Sequence, residues 1–151
     1  MAIYSIVKIG DDILKSKSND VIKFDFRIEK LIKNMEDTIK SEKGFGLAAC
    51  QIGIPKRVIL LNYKNKIDVF INPFIIFKNG ETLDIEGCLS VPGIIGKVKR
   101  ADKIKVKAKN KYGENFIVNL NGFYSRIVQH EIDHLDGILF IDKAESLERG
   151  I

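Results

Sequence analysis

Tryptophan is missing altogether, and cysteine, histidine and methionine occur only twice each in 151 residues. Two cysteines, Cys50 and Cys88, cannot form the disulfide framework that holds small secreted domains together. With three prolines and no low-complexity tract, the chain does not read as disordered. No apolar run approaches the ~20 residues of a membrane span, and Met1 to Lys8 lacks a signal peptide's long apolar stretch. These absences predict a cytoplasmic protein with reduced thiols and no membrane partner.

Apolar residues make up 45% of the chain and charged residues 30%, a globular balance. The length suits a single catalytic-size domain, 1–151. A domain this long buries roughly 70% of its unfolded surface and needs no metal or disulfide in order to fold. The net charge of +5 is compatible with an anionic partner such as RNA, or with solubility alone. The lysines are spread along the chain, which does not suggest one nucleic-acid groove, and no DNA contact is expected.

Apolar and charged residues alternate at helical spacing from 25 to 42, with Phe26, Leu31, Met35 and Ile39 on or near one face, Asp25 as N-cap and Gly44 as terminator. Residues 44–51 read as a small-residue loop. Residues 57–63 and 69–77 read as strands around a Lys64-Asn65-Lys66 turn. Residues 82–89 are extended and stop at Val91-Pro92-Gly93. Residues 97–107 alternate in part, with Val98, Ile104, Val106 and Ala108 inward. Tyr112-Gly113 turns into a strand over 115–120. A helix apolar on several sides, hence buried, then runs to Asp136, with Gly137 just past its end. Strands followed by a helix, without βαβ alternation, predict an α+β fold: antiparallel or mixed sheets packed around a central C-terminal helix.

The strongest chemical signal is His130-Glu131-Ile132-Asp133-His134. Four-residue spacing stacks two imidazoles on one helical face, where both can bind one metal ion. Glu131, at the border of that face, can reach an attacking water without being a ligand. The chain has no third histidine. A third ligand must therefore come from downstream carboxylates (Asp136, Asp142, Glu145, Glu148) or from Cys88, whose thiolate suits divalent iron or zinc.

Three segments resemble, in order and spacing, the signature motifs of the peptide deformylase family: Gly44-Phe45-Gly46-Leu47-Ala48-Ala49-Cys50-Gln51, Glu86-Gly87-Cys88-Leu89-Ser90 and Gln129-His130-Glu131-Ile132-Asp133-His134. The resemblance implies a hydrolase that removes the formyl group from N-terminal formylmethionine of nascent polypeptides. It implies one divalent metal, Fe(II) in the cell with zinc, nickel or cobalt able to substitute, held by Cys88, His130, His134 and a water. Glu131 would move the proton, while the Gln51 amide and the Leu89 N–H would stabilise the oxyanion. Gly44, Phe45, Gly46, Glu86, Gly87 and Ile127 would contact the N-formylmethionyl peptide. Phe123 reads as ordinary core, Cys50 as packing. Asp133 and Glu86 are also suited to orienting a ligand.

The chain departs from the family in lacking the usual aspartate-proline pair near Asp11-Asp12. Arg100 alone matches an arginine position after the second motif. Residues 145–151 are too short for the long basic helix through which many members meet the ribosome, so ribosome contact is not supported. Two competing readings remain: an endopeptidase with a downstream carboxylate ligand, and a catalytically silent RNA-binding protein on the same scaffold.

Overall fold

The computed structural model of the chain describes residues 2–150. Its first long helix, α1 (Phe26–Glu42), begins where the Asp25 carboxylate accepts a hydrogen bond from the Arg27 N–H, satisfying one of the orphan donors of the first turn. Ile28, Ile32, Met35 and Ile39 form its buried face. Phe26, expected on that face, is instead 69% exposed. It precedes Ile28 by two residues, which on a helix points it to roughly the opposite side. The helix ends on Lys43 in the left-handed region, φ 55°, and not on Gly44.

The strands are β1 (Gly46–Ala48), β2 (Val58–Tyr63), β3 (Lys66–Asn79), β4 (Thr82–Cys88), β5 (Val91–Arg100), β6 (Lys103–Lys109), β7 (Asn115–Asn121) and β8 (Ser146–Arg149). They form a five-stranded sheet in the order β1-β2-β3-β6-β7 and a three-stranded sheet in the order β4-β5-β8. Every pairing between these strands is antiparallel. Lys64 and Asn65, with φ of 51° and 60°, make the two-residue turn whose twist suits a hairpin.

Three expectations need correction. The segment 44–51 is not only loop: it holds β1 and a 3-10 turn, Ala49–Ile52. Val91-Pro92-Gly93 does not end a strand but starts β5, after a tight turn at Leu89-Ser90. The alternation over 97–107 covers two strands in different sheets, β5 and β6. Val98, Arg100, Ile104 and Val106 are all buried and share one parity, so the turn at Ala101-Asp102 leaves no break in the period.

The central helix α2 (Gly122–Leu135) is buried along most of its length. Ile127, Val128, Ile132 and Leu135 share one core with Ala48, Ile59, Leu61, Ile104 and Val106 of the larger sheet and with Val91 and Val98 of the smaller. On the larger sheet's other face, α1 packs on Leu47, Val58, Leu60 and Ile71. The two helices thus flank one end of that sheet, and the α+β architecture around a C-terminal helix is as expected.

A short helix, α3 (Phe140–Lys143), follows Gly137, whose φ is 76°. A Cβ at Gly137 would stand 2.5 Å from the Lys15 carbonyl oxygen, so a side chain there meets backbone as well as a left-handed conformation. Gly137→Ala should destabilise the fold by about 2 kcal/mol or more, lowering Tm by roughly 5 °C. Thermal unfolding of the two proteins side by side measures this, and equal midpoints would contradict the packing of Gly137 on Lys15.

Candidate metal centre

His130 and His134 project from α2 one turn apart, with ring centroids 5.1 Å from each other. Cys88 arrives from the end of β4, where a register irregularity between Glu86 and Cys88 interrupts the ladder. Such irregularities re-aim side chains, and here Cys88 Sγ stands 3.3 Å from His134 Nε2. One ligand atom from each of the three residues lies within 4.8 Å of the others. His134 is fully buried, and burial holds its imidazole well below its ordinary pKa, in the neutral form that binds metals. A thiolate and two imidazoles with space between them fit a divalent ion of the iron or zinc type.

His130 is oriented from behind. Its Nδ1 lies 2.9 Å from Glu86 Oε1. A carboxylate only accepts, so Nδ1 carries the proton and Nε2 keeps its lone pair for the metal side. Burial depresses the His130 pKa, but hydrogen bonding to Cys88 and Glu86 outweighs it, and the value rises to about 10 without a metal. Glu86 also accepts two hydrogen bonds of 2.9 Å from Arg100 and one of 2.6 Å from Arg126. Burial alone would raise its pKa, yet His130 and Arg100 hold it well below the carboxylate range.

Glu86 was expected to touch substrate. It borders the cavity described below, and both carboxylate oxygens are occupied by this network, which fits the orienting part also expected of it. Arg100 likewise faces away from any substrate: it is 4% exposed and joins Glu86 to Asp133. Asp133 also accepts from Lys143 at 3.1 Å. Arg126 was not anticipated. The available signal was its position four residues before His130, on the same helical face.

Gln51 Oε1 accepts from the Ala48 N–H at 2.9 Å, which turns Nε2 toward Ser90 Oγ at 3.1 Å and Cys88 Sγ at 3.6 Å. Glu131 is 4% exposed, and its Oε1 has no hydrogen-bond partner among the described residues. Burial first of all pushes its pKa up, to about 7 without a metal. A Cβ on Gly46 would lie 2.5 Å from Glu131 Oε2 and 2.7 Å from Ile127 Cγ2, so only glycine lets this strand lie against the acid. Cys50 is fully buried and donates to the His134 carbonyl at 3.6 Å. Burial raises its pKa to about 12, so it packs as an inert thiol.

A cavity of about 480 Å³ opens on this group. It is lined by Gly44, Phe45, Gly46, Gln51, Glu86, Gly87, Cys88, Leu89, Ile127, His130 and Glu131; of the site residues named from sequence only His134 is absent, sealed beneath. Phe123, expected in the core, is 39% exposed and stands on the cavity wall, edge-on to Phe45 at 5.2 Å.

The downstream carboxylates do not approach the histidines as ligands. Asp136 pairs with Arg57 at 3.0 Å, Asp142 caps the Leu139 N–H, Glu145 pairs with Lys99, and Glu148 is exposed on β8. The endopeptidase ligand set therefore fails, and fold and site together define a metallo-hydrolase of the Cys-His-His kind. The polypeptide deformylase profile matches residues 3–150. The peptide deformylase of Desulfitobacterium hafniense is 50% identical over 149 residues, 99% of each chain. That of Carboxydothermus hydrogenoformans is 48% identical, covering 99% of this chain and 98% of its own. The crystal structure of peptide deformylase from Thermotoga maritima superposes with a TM-score of 0.94 at 37% identity, covering 97% of this chain and 100% of that one. The chain belongs to the polypeptide deformylase family.

Removing the charge behind His130 should loosen the centre. Glu86→Gln is expected to weaken metal affinity about 10–100-fold, because a neutral amide polarises the imidazole less and leaves Arg100 and Arg126 short of a partner. Competition with a chromophoric chelator reads this directly, and unchanged affinity would remove Glu86 from the centre's support.

Proposed function

We propose that this chain, as one catalytic domain, hydrolyses the formyl amide of N-formylmethionyl peptides and nascent polypeptides, releasing formate and a free N-terminal amine. The observation that carries this reading is the convergence, on one apolar-walled cavity, of a buried unpartnered carboxylate, an aimed amide donor and a three-donor metal cradle. Cys88, His130 and His134 would hold a divalent ion, which when bound would supply Lewis-acid polarisation and water activation. Fe(II) is the ion proposed for the cell, with zinc, nickel or cobalt able to take its place. The cytoplasm, where formylated chains are made, is the proposed location; no helix among the described residues is long and apolar enough to cross a membrane.

Glu131 Oε accepts the proton of the attacking water and returns it to the amide nitrogen as the C–N bond breaks. Its pKa, raised by burial, suits both halves of that exchange. Gln51 Nε2 and the Leu89 N–H donate to the oxygen that becomes negative as water adds to the formyl carbon. The substrate's backbone has a place to lie. β1 and β4 are edge strands of their respective sheets, and edge strands offer unpaired donors and acceptors to an extended peptide. Gly44 and Gly46 permit close approach, while Ile127 and Leu89 give the methionine side chain an apolar wall. Ribosome contact is not part of the proposal.

The test is formate release from a formyl-Met peptide by metal-loaded protein, with formyl-Ala and acetyl-Met peptides alongside. Formyl-Met should be preferred over formyl-Ala by roughly tenfold or more, from lost apolar burial; equal cleavage of formyl and acetyl peptides would refute the reading. Glu131→Gln should keep its metal and lose about 10²–10⁴-fold in turnover, whereas loss of metal would make Glu131 a ligand. Iron-loaded protein should lose activity in peroxide, with oxidation at Cys88 and not at Cys50; a zinc form equally active and an iron form equally resistant would argue against iron.

A further inference from the structure

The outer face of the five-stranded sheet is only half covered. Leu47, Leu60 and Ile71 on that face share a core with α1, and Phe24 reaches the turn at Gly113, but Phe74, Phe77 and Ile117 are each more than half exposed. Ile104, Val106 and Ala108 of β6 point into the α2 core, so Lys103, Lys105, Lys107 and Lys109 point the other way. Strand register sets Phe74 opposite Lys107 and Phe77 opposite Lys105 on one flank. On the other flank Ile117 is opposite Lys107, Asn119 opposite Lys105 and Asn121 opposite Lys103. Directly opposed residues of an antiparallel pair share a face. Phe74 and Phe77 are 51% and 53% exposed.

The strands bring little negative charge to this face, although Phe74 also borders a hollow lined by Asp20 and Asp136. β6 and β7 contain no Asp or Glu, and among the described residues none of the four lysines is ion-paired. The only polar contact in the row is Lys109 Nζ donating to Asn115 Oδ1 at 3.0 Å. The nearest carboxylates in sequence, Glu81, Asp102 and Glu114, sit in the turns beyond the strand ends. None of the ladder residues or their flanking partners lines the catalytic cavity.

We propose that this open face of β3, β6 and β7 binds single-stranded RNA. Alternate residues on a strand are roughly 7 Å apart, a spacing that successive phosphates of an extended strand can follow. Exposed phenyl rings beside the cations offer stacking surfaces to bases. The asparagine amides can bond to base edges and 2′-hydroxyls. A lipid surface would use the cations and the phenyl rings but leave the asparagine amides without partners. The face lies across the sheet from α2, so bound RNA would leave the cavity open and could hold the enzyme near sites of translation. The binding itself does not depend on the hydrolase reading.

The experiment is fluorescence anisotropy of a labelled 12-nucleotide mixed-sequence RNA with the metal-loaded protein, titrated between about 50 and 200 mM salt. Four phosphate contacts predict a log–log salt slope near −3, about 0.7 per contact. The Lys103→Gln, Lys105→Gln, Lys107→Gln, Lys109→Gln variant should lose nearly all of that slope, and Lys105→Gln or Lys107→Gln alone about one quarter of it. Phe74→Ser with Phe77→Ser should weaken binding about tenfold or more through lost stacking, with the slope unchanged. An equal loss of charge elsewhere, at Lys30, Lys40, Lys43 and Lys56, should change affinity less than threefold. Formate release by each variant reports whether it is folded. The proposal is overturned if RNA does not bind, if the distant lysines matter as much as the ladder, or if phosphatidylglycerol vesicles bind and RNA does not.

Discussion

The Glu86 carboxylate is the point at which three parts of the molecule are tied. It accepts from Arg100 on β5, from Arg126 on α2 and from His130 one turn further along α2. Its own strand, β4, ends at Cys88 two residues later. One buried anion thus fixes the distance between the strand that carries the thiol and the helix that carries the imidazoles. A buried charge is tolerated only when its partners satisfy it fully, and here two guanidinium groups and an imidazole do so. Because a one-sided loss would strand the remaining cations in a low-dielectric interior, the arrangement specifies one geometry in place of a continuum of looser ones.

Glu131, the proposed proton carrier, lies just beyond that tie and is treated oppositely. Glu131 is buried as deeply as Glu86, but among the described residues one of its oxygens has no partner. Two neighbouring carboxylates are thereby separated in chemistry. Strong cationic partners keep Glu86 ionised, while burial with weaker compensation leaves Glu131 near neutrality. Structural anion and proposed proton carrier are distinguished by environment alone.

Backbone proximity completes the site. Gly46 lies so close to Glu131 and Ile127 that no side chain fits, and a Cβ on Gly44 would stand 3.2 Å from Leu89. The first motif's glycines are therefore needed both for the packing of β1 on α2 and for the approach of a peptide to its free edge. Gln51, just after β1, has its amide turned by the Ala48 N–H, so the same short segment sets the proposed oxyanion donor beside the thiol.

Four-residue spacing marked the two histidines and Glu131 as candidates, whereas Cys88 was one of several possible ligands and Gln51 came from the resemblance of local motifs to the family. Burial of α2 was also legible, since apolar residues on several sides leave it no solvent face. The tertiary structure alone decided the rest. The roles of Glu86 and Arg100 depend on partners 14 to 44 positions away in sequence, which no local pattern reports. The division of 97–107 between two sheets was hidden by unbroken parity, and Phe26 faced solvent because helical phase is set by the whole buried face. The lysines of β6 look scattered along the chain, yet strand pleating gathers them on one surface beside Phe74 and Phe77. Local periodicity specifies which way a residue faces; only the packing of one element on another determines what it faces.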